Sequence, residues 1–339
     1  VLRGVAVLLV LVHHSPGGEG ALLRGGWTGV DLFFVLSGFL VSGLLFKEHL
    51  RSGRIRPGRF YLRRGLKIYP NFYTMLAVTS AVLALGHVDV EPRNVVHEAV
   101  FLQNYLPAAW WGREHAWSLA IEEHFYFLLP PALILLLRWP PFRRAPVRWA
   151  TVLAATLGAA ALAIRWTMVR SGADASSVLF PTHTRLDALA FGVLLSVVWH
   201  FAPARIAVVR RLRWALVPVG LLLTLPCYLL SNEHHFVLTL GLTLNYLGYG
   251  MVLAAALTLP RLLPRPLGPA LAYVGFYSYS IYLWHLPFLA VVRNTLHEGP
   301  AAAAVFYAGS IVAGVVMARL VEIPALRLRE RWIPAPTAH

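Results

Sequence analysis

Apolar stretches about twenty residues long recur from one end of this chain to the other, and that recurrence constrains the fold more than any single residue. A helix rises about 1.5 Å per residue, so roughly 17–25 apolar residues cross a hydrocarbon core about 30 Å thick. Lipid offers the backbone no hydrogen-bond partners, which leaves helices as the reading for runs of this length. Ten spans follow: 1–14, 27–46, 68–86, 117–137, 149–169, 184–201, 215–230, 236–259, 271–293 and 300–320. Composition agrees, with 58% hydrophobic and only 13% charged residues, where soluble domains are about a quarter charged. The expectation is an all-α integral membrane protein, a bundle of about ten transmembrane helices. It forms a single domain over 1–339, with no appended soluble domain and no internal repeat. The first span is short and no Met opens it, so further residues are expected upstream and a cleaved signal peptide is not.

A net charge of +15 raises nucleic acid as a partner, and the placement of the charges removes it. Lys47, Arg51, Arg54, Arg56, Arg59, Arg63, Arg64 and Lys67 follow the second span, and Arg138, Arg143, Arg144 and Arg148 follow the fourth. Arg205, Arg210, Arg211 and Arg213 follow the sixth, Arg261 and Arg265 the eighth, and Arg327, Arg329 and Arg331 the tenth. Basic residues crowded into alternate loops obey the positive-inside rule and put both termini in the cytoplasm of a multi-pass protein of the cytoplasmic membrane. The single cysteine, Cys227, excludes an intramolecular disulfide and a thiolate-rich metal site.

A charge at the centre of a membrane helix costs about 2.5 to 3.5 kcal/mol on insertion scales, so intramembrane ionisable groups are functional candidates. In VLRGVAVLLVLVHH, Arg3 and His14 are eleven residues apart, which puts them on one helix face about 16 Å apart along the axis. That is too far for a hydrogen bond but within reach of one long ligand; His13 points elsewhere. The plainer reading is that Arg3 snorkels to head groups and His14 caps the outer end. GWTGVDLFFVLSGFLVSGLLF holds Asp31 near its outer end, placed to cap the helix or to hold a histidine or an arginine, with Ser37, Gly38, Ser42 and Gly43 further in as small packing residues. WSLAIEEHFYFLLP is the densest signal: Trp117 and Ser118 open it and Glu122, Glu123 and His124 follow in an apolar helix. These two glutamates act chemically or make an interhelical ion pair, with an arginine such as Arg185 as partner. No H-E-x-x-H zinc spacing is present and no metal is expected.

FYLRRGLKIYP sets Arg63, Arg64 and Lys67 together, either as plain topology determinants or as a patch for the phosphates of a cytosolic cofactor. TRLDALAFG brings Arg185 and Asp187 to the outer start of the sixth span, and YSYSIYLWHLP aligns Ser278, Tyr282 and His285 on one face. Glu322 is expected to pair with an arginine. The long loop 87–116 carries Tyr105, Trp110 and Trp111, aromatics that suit sugar faces or a membrane interface.

In this order these segments resemble membrane-bound acyltransferase family three, whose members include O-antigen and peptidoglycan O-acetyltransferases and macrolide acyltransferases. The resemblance covers nearly the whole chain. It implies ten membrane helices and transfer of an acyl group, usually acetyl from acetyl-CoA, to a hydroxyl. The family's arginine–ten residues–histidine motif falls on Arg3 and His14. Its basic motif falls on Arg63, Arg64 and Lys67, with lysine where arginine is commoner, and its paired glutamates fall on Glu122 and Glu123, followed by His124 in place of glutamine. By that resemblance His14, Arg3, Glu122 and Glu123 are the catalytic candidates, with His14 as general base or nucleophile. Arg63, Arg64 and Lys67 are the candidates for holding acyl-CoA. Asp31, Ser37, Trp117, Ser118, Arg185, Asp187, Tyr282 and His285 are the candidates for lining the path of a carbohydrate or glycosylated small-molecule acceptor. A second transfer step would need a separate periplasmic or extracellular transferase. The rival reading is a proton-coupled transporter using the same Arg, His and Glu groups as a relay.

Overall fold

A computed structural model describes residues 1–17, 20–88, 91–106, 113–259 and 263–334. Among these residues every regular element is helical. Numbered in chain order, the helices of eight or more residues are α1 Leu2–His13, α2 Gly29–Ser52, α3 Pro57–Leu85, α4 Pro92–Ala99, α5 Trp117–Arg138, α6 Pro146–Arg170 and α7 Leu186–Phe201. They continue with α8 Pro203–Thr224, α9 Leu242–Thr258, α10 Leu267–Phe276, α11 Ser278–Thr295, α12 Pro300–Met317 and α13 Ile323–Trp332.

Seven helical stretches among the described residues are long and apolar enough to cross a membrane: Ala21–Ser52, Pro57–Leu85, Glu114–Arg138, Pro146–Arg170, Pro203–Leu229, Val237–Thr258 and Pro300–Trp332. The chain is a helical, multi-pass membrane protein. These seven coincide with seven of the ten expected spans. The expected spans 1–14 and 184–201 meet the shorter helices α1 and α7, and 271–293 is divided between α10 and α11. The division falls at Tyr277, whose ψ of 4° lies outside the helical range. Large apolar side chains such as Leu44, Phe127 and Leu135 stand on the outer faces of these helices, 64%, 69% and 69% exposed, as lipid-facing residues do.

The chain packs as two compact units. The first comprises Val1–His13, Glu19–Ile55 and His124–Gly275. In it α2 crosses α7 at two glycines, where a Cβ on Gly38 would stand 2.1 Å from the Leu189 carbonyl oxygen and one on Gly192 would stand 2.3 Å from that of Val35. The small residues of the second span thus serve close helix approach. Helices α8 and α9 meet in the same way through Gly220 and Gly248. Gly53, at φ 69°, ends α2 in the left-handed conformation, with its N–H on the His49 carbonyl.

The second unit comprises His14–Gly18, Arg56–Glu123 and Phe276–His339. Pro57 starts α3 at a position where a helix needs no N–H. Helix α11 packs on α12, with Ile281 against Gly314. Helix α3 packs against α11, α13 and the π-helical turn Ala318–Glu322, and the 3-10 turn Glu114–Ala116 lies beside α11.

Candidate active site

In the second unit three imidazoles come together. His14 follows the last residue of α1, His115 sits in the turn that leads into α5, and His285 lies on α11. The His285 ring is 5.0 Å from that of His14 and 4.9 Å from that of His115, both edge-on. Tyr282, one turn before His285, has its ring 5.2 Å from His115. Its hydroxyl donates to the His115 carbonyl at 3.0 Å and lies 2.6 Å from Ser118 Oγ, which donates to the same carbonyl at 3.1 Å. The expected candidates His14, His285, Tyr282 and Ser118 therefore converge. Helical spacing alone places Tyr282 and His285 on one face; the turn before α5 brings Ser118 to them.

Backbone carbonyls fix two of the tautomers. His115 Nε2 donates to the Leu283 carbonyl at 3.0 Å, and His285 Nδ1 donates to the Tyr282 carbonyl. A neutral imidazole with one N–H committed keeps a lone pair on its other nitrogen, so each ring is an acceptor at its remaining position. His115, 4% exposed, was not singled out by the sequence. The one signal for it is its place three residues before Ser118, facing the same turn.

The paired glutamates lie close by in sequence but have different surroundings. Glu123 Oε2 accepts from the Tyr69 hydroxyl at 3.1 Å. Its other oxygen is buried without a hydrogen bond. Glu122 is half-buried on α5. Trp117 is half-buried at the start of α5.

The basic candidates on α3 are partnered within the unit. Arg63 forks onto Glu330 of α13, at 2.7 and 3.2 Å. Lys67 donates to Glu322, whose side chain is 4% exposed, and Ser280 donates to the other oxygen of that carboxylate. Glu322 therefore pairs with a lysine and a serine, where an arginine was expected. From Ser280 the contacts continue to Asn71 at 2.8 Å and from Asn71 to the Trp284 indole at 3.0 Å, a buried polar chain that no sequence pattern announced.

In the first unit, the candidates Asp31, Arg185 and Asp187 belong to two buried ion pairs. Arg185 pairs with Asp31, and Asn245 donates to the second Asp31 oxygen at 2.6 Å. Arg165 pairs with Asp187 at 2.8 Å and also donates to the Thr184 carbonyl and the Thr243 hydroxyl, each at 2.7 Å. Arg185 is thus the arginine that Asp31 holds, one of the roles open to that carboxylate, because α2 and α7 cross beside both residues. Arg165 and Asn245 escaped the sequence reading, being lone polar residues in apolar helices. Ser37 is buried on α2. Arg3 stands 5.5 Å over the Phe33 ring, and His13 bonds the Leu23 carbonyl at 2.8 Å.

Outside the spans, Glu98 of α4 and Arg113 form a buried pair at 3.1 Å. Neither Glu98 oxygen accepts a hydrogen bond, so burial dominates and pushes its carboxyl up to about 7. Tyr105 is exposed; Trp110 and Trp111 lie outside the described residues. Among the described residues no group of three or more His, Cys, Asp or Glu is arranged to hold a metal ion.

Residues 1–319 match the family described as Acyltransferase domain. This chain belongs to that acyltransferase family. Its relatives include the peptidoglycan O-acetyltransferase OatA of Listeria monocytogenes, 27% identical over 87% of this chain and 49% of its own length. The O-acetyltransferase OatA of Staphylococcus aureus (strain NCTC 8325) is 27% identical over 88% of this chain and 51% of its own. A provisionally named O-acetyltransferase of Staphylococcus aureus (strain MRSA252) is 26% identical over 98% and 59%. The chain thus spans about half to three-fifths of the length of the curated relatives it matches. No solved structure matches it.

Proposed function

We propose that this chain transfers an acyl group, in the first instance acetyl, from cytosolic acyl-CoA to a hydroxyl of a sugar-containing acceptor, a cell-surface glycan or a secreted natural product. It would do so in the cytoplasmic membrane, with both termini on the cytoplasmic side. The observation that carries the reading is the meeting of His14 and His115 on the ring of His285 in a chain of the acyltransferase family. His14 acts as general base. It takes the proton of the acceptor hydroxyl while that oxygen bonds to the thioester carbon; the carbon–sulfur bond breaks, and the departing thiolate takes the proton from His14. Serine and tyrosine hydroxyls around the cluster suit a polar acceptor, and a separate transferase on the outer side would carry out any second transfer.

Electrostatics ranks the three basic candidates for the donor phosphates. The Arg63–Glu330 pair is partly exposed, its carboxylate 45% so, and such pairs contribute little, so a phosphate can displace the carboxylate. Lys67 is bound to a buried carboxylate, and removing it would strand that charge. Arg63, with Arg64 beside it in the motif, is therefore the phosphate ligand of this reading, and Lys67 holds Glu322.

Radiolabelled acetyl-CoA offered to the chain in nanodiscs tests the proposal. Wild type binds and consumes the thioester, His14→Ala binds without consuming it, and Arg64→Ala loses binding. A folded wild type with no specific affinity for acetyl-CoA ends the reading.

A further inference from the structure

We propose that His115 is a positioning residue for His14: the lone pair on its Nδ1 holds, by a hydrogen bond within the histidine cluster, the imidazolium that His14 becomes on taking the hydroxyl proton. The inference rests on the acyl-transfer reading above and adds a residue that neither the motifs nor the family comparison supplied.

Four observations lead to it. His115 Nε2 is committed to the Leu283 carbonyl, so Nδ1 is an acceptor and cannot donate. That Nδ1 is buried and has no hydrogen-bond partner. A buried polar atom left in this way costs about 1–3 kcal/mol, and in native proteins such atoms are few and often mark a working site. The nearby hydroxyls do not satisfy it, because those of Ser118 and Tyr282 are taken up with each other and with the His115 backbone carbonyl and so clamp the turn that carries the ring. Finally, the His115 and His14 rings both pack edge-on against the His285 ring, at 4.9 and 5.0 Å between centroids, so the three imidazoles form one cluster.

A buried acceptor idle while His14 is neutral gains a partner when His14 acquires a second N–H. The interaction is made only in the charged state formed during reaction, the condition under which a contact accelerates the chemical step. No proton is gained or lost overall: it leaves the hydroxyl, resides on His14 with His115 as its acceptor, and departs on the thiolate.

Two substitutions separate the ring nitrogens. In His115→Gln the amide reaches the Nε2 position and can keep the Leu283 bond, but the Nδ1 acceptor is gone. In His115→Asn an oxygen stands near the Nδ1 position and the Leu283 bond is lost. Both are reconstituted in nanodiscs and assayed for acetyl-CoA binding and turnover, and for histidine ring nitrogen resonances by 15N NMR. Positioned proton transfer contributes about 10²–10⁴-fold, so His115→Gln should lose at least about tenfold in turnover with unchanged acetyl-CoA binding, and His115→Asn should lose less. The His14 nitrogen resonances should move in His115→Gln and stay nearer wild type in His115→Asn. Wild-type turnover in His115→Gln, or a larger loss in His115→Asn, overturns the inference and makes the Leu283 tie the reason for the residue. A wild type that neither binds nor turns over acetyl-CoA removes the acyl-transfer reading instead, while the resonances still report whether His115 and His14 are coupled; unmoved resonances overturn the coupling itself.

Discussion

Arg165 and Asp187 lie 2.8 Å apart with both side chains closed off from their surroundings, 0% and 1% exposed. Removing one partner of such a pair leaves a buried charge alone, which costs about 3–5 kcal/mol. Arg165→Leu should lower the stability of the chain in detergent by that amount. The joint change Arg165→Leu with Asp187→Leu should recover most of it, because both desolvated charges then disappear. Denaturant titration of wild type and the two variants decides the point; equal losses in the single and double variants would contradict a pairwise origin.

The ion pairs of α3 should respond oppositely to neutralisation. Glu330→Ala frees Arg63 at little cost, within about 0.5 kcal/mol of wild type. It should tighten acetyl-CoA binding up to about fivefold at low salt, the equivalent of about 1 kcal/mol. Lys67→Ala leaves the buried Glu322 carboxylate without its cation and should lower the melting temperature. Binding isotherms beside thermal melts separate the two effects.

Glu98 gives the α4 region a pH dependence of definite sign. Its carboxyl is raised from 4.5 to about 7, so the folded chain holds this proton more tightly than the unfolded chain. The associated stability is complete below about pH 4.5, falls as pH rises through 7, and is constant beyond. Glu98→Gln should match wild type at pH 4.5 and be more stable above pH 7, by an amount on the order of 3 kcal/mol. Parallel melting curves at pH 5 and pH 8 would refute the assignment.

Where α2 crosses α7, backbone meets backbone at Gly38 and Gly192. No side-chain rotation can make room there. Gly192→Ala should destabilise by roughly 1–3 kcal/mol, as overpacking does, whereas Gly58→Ala, which meets nothing within 4 Å, should not. Expression and thermal stability of the pair provide the comparison.

The helices and much of the cluster were legible in the sequence for physical reasons. Long apolar runs have one solution in lipid, and the i, i+3 relation of Tyr282 and His285 survives into the structure because α11 is regular there. His14 was found because a histidine at the edge of an apolar run needs explaining. What stayed hidden depends on long-range contact. His115 belongs to a turn with no periodicity, and Arg165 finds Asp187 only through the packing of α6 on α7. The partner of Glu322 was misjudged because sequence shows which carboxylates need cations, not which cation the fold delivers. Likewise 271–293 reads as one continuous apolar run, and its interruption at Tyr277 has no Gly or Pro at that residue to announce it.

The turn Ala318–Glu322 is π-helical, which means that it contains one residue more than an α-helix would use to cover the same rise. That surplus residue is a phase shift. It rotates everything after Met317 by about 100° relative to a straight continuation of α12, so the face bearing Glu322 meets Ser280 and Lys67 instead of turning toward lipid. The Lys67 bridge thus depends on a count as well as on two side chains: deleting Ala318, Leu320 or Val321 would keep every charged group of this turn and still aim the carboxylate elsewhere.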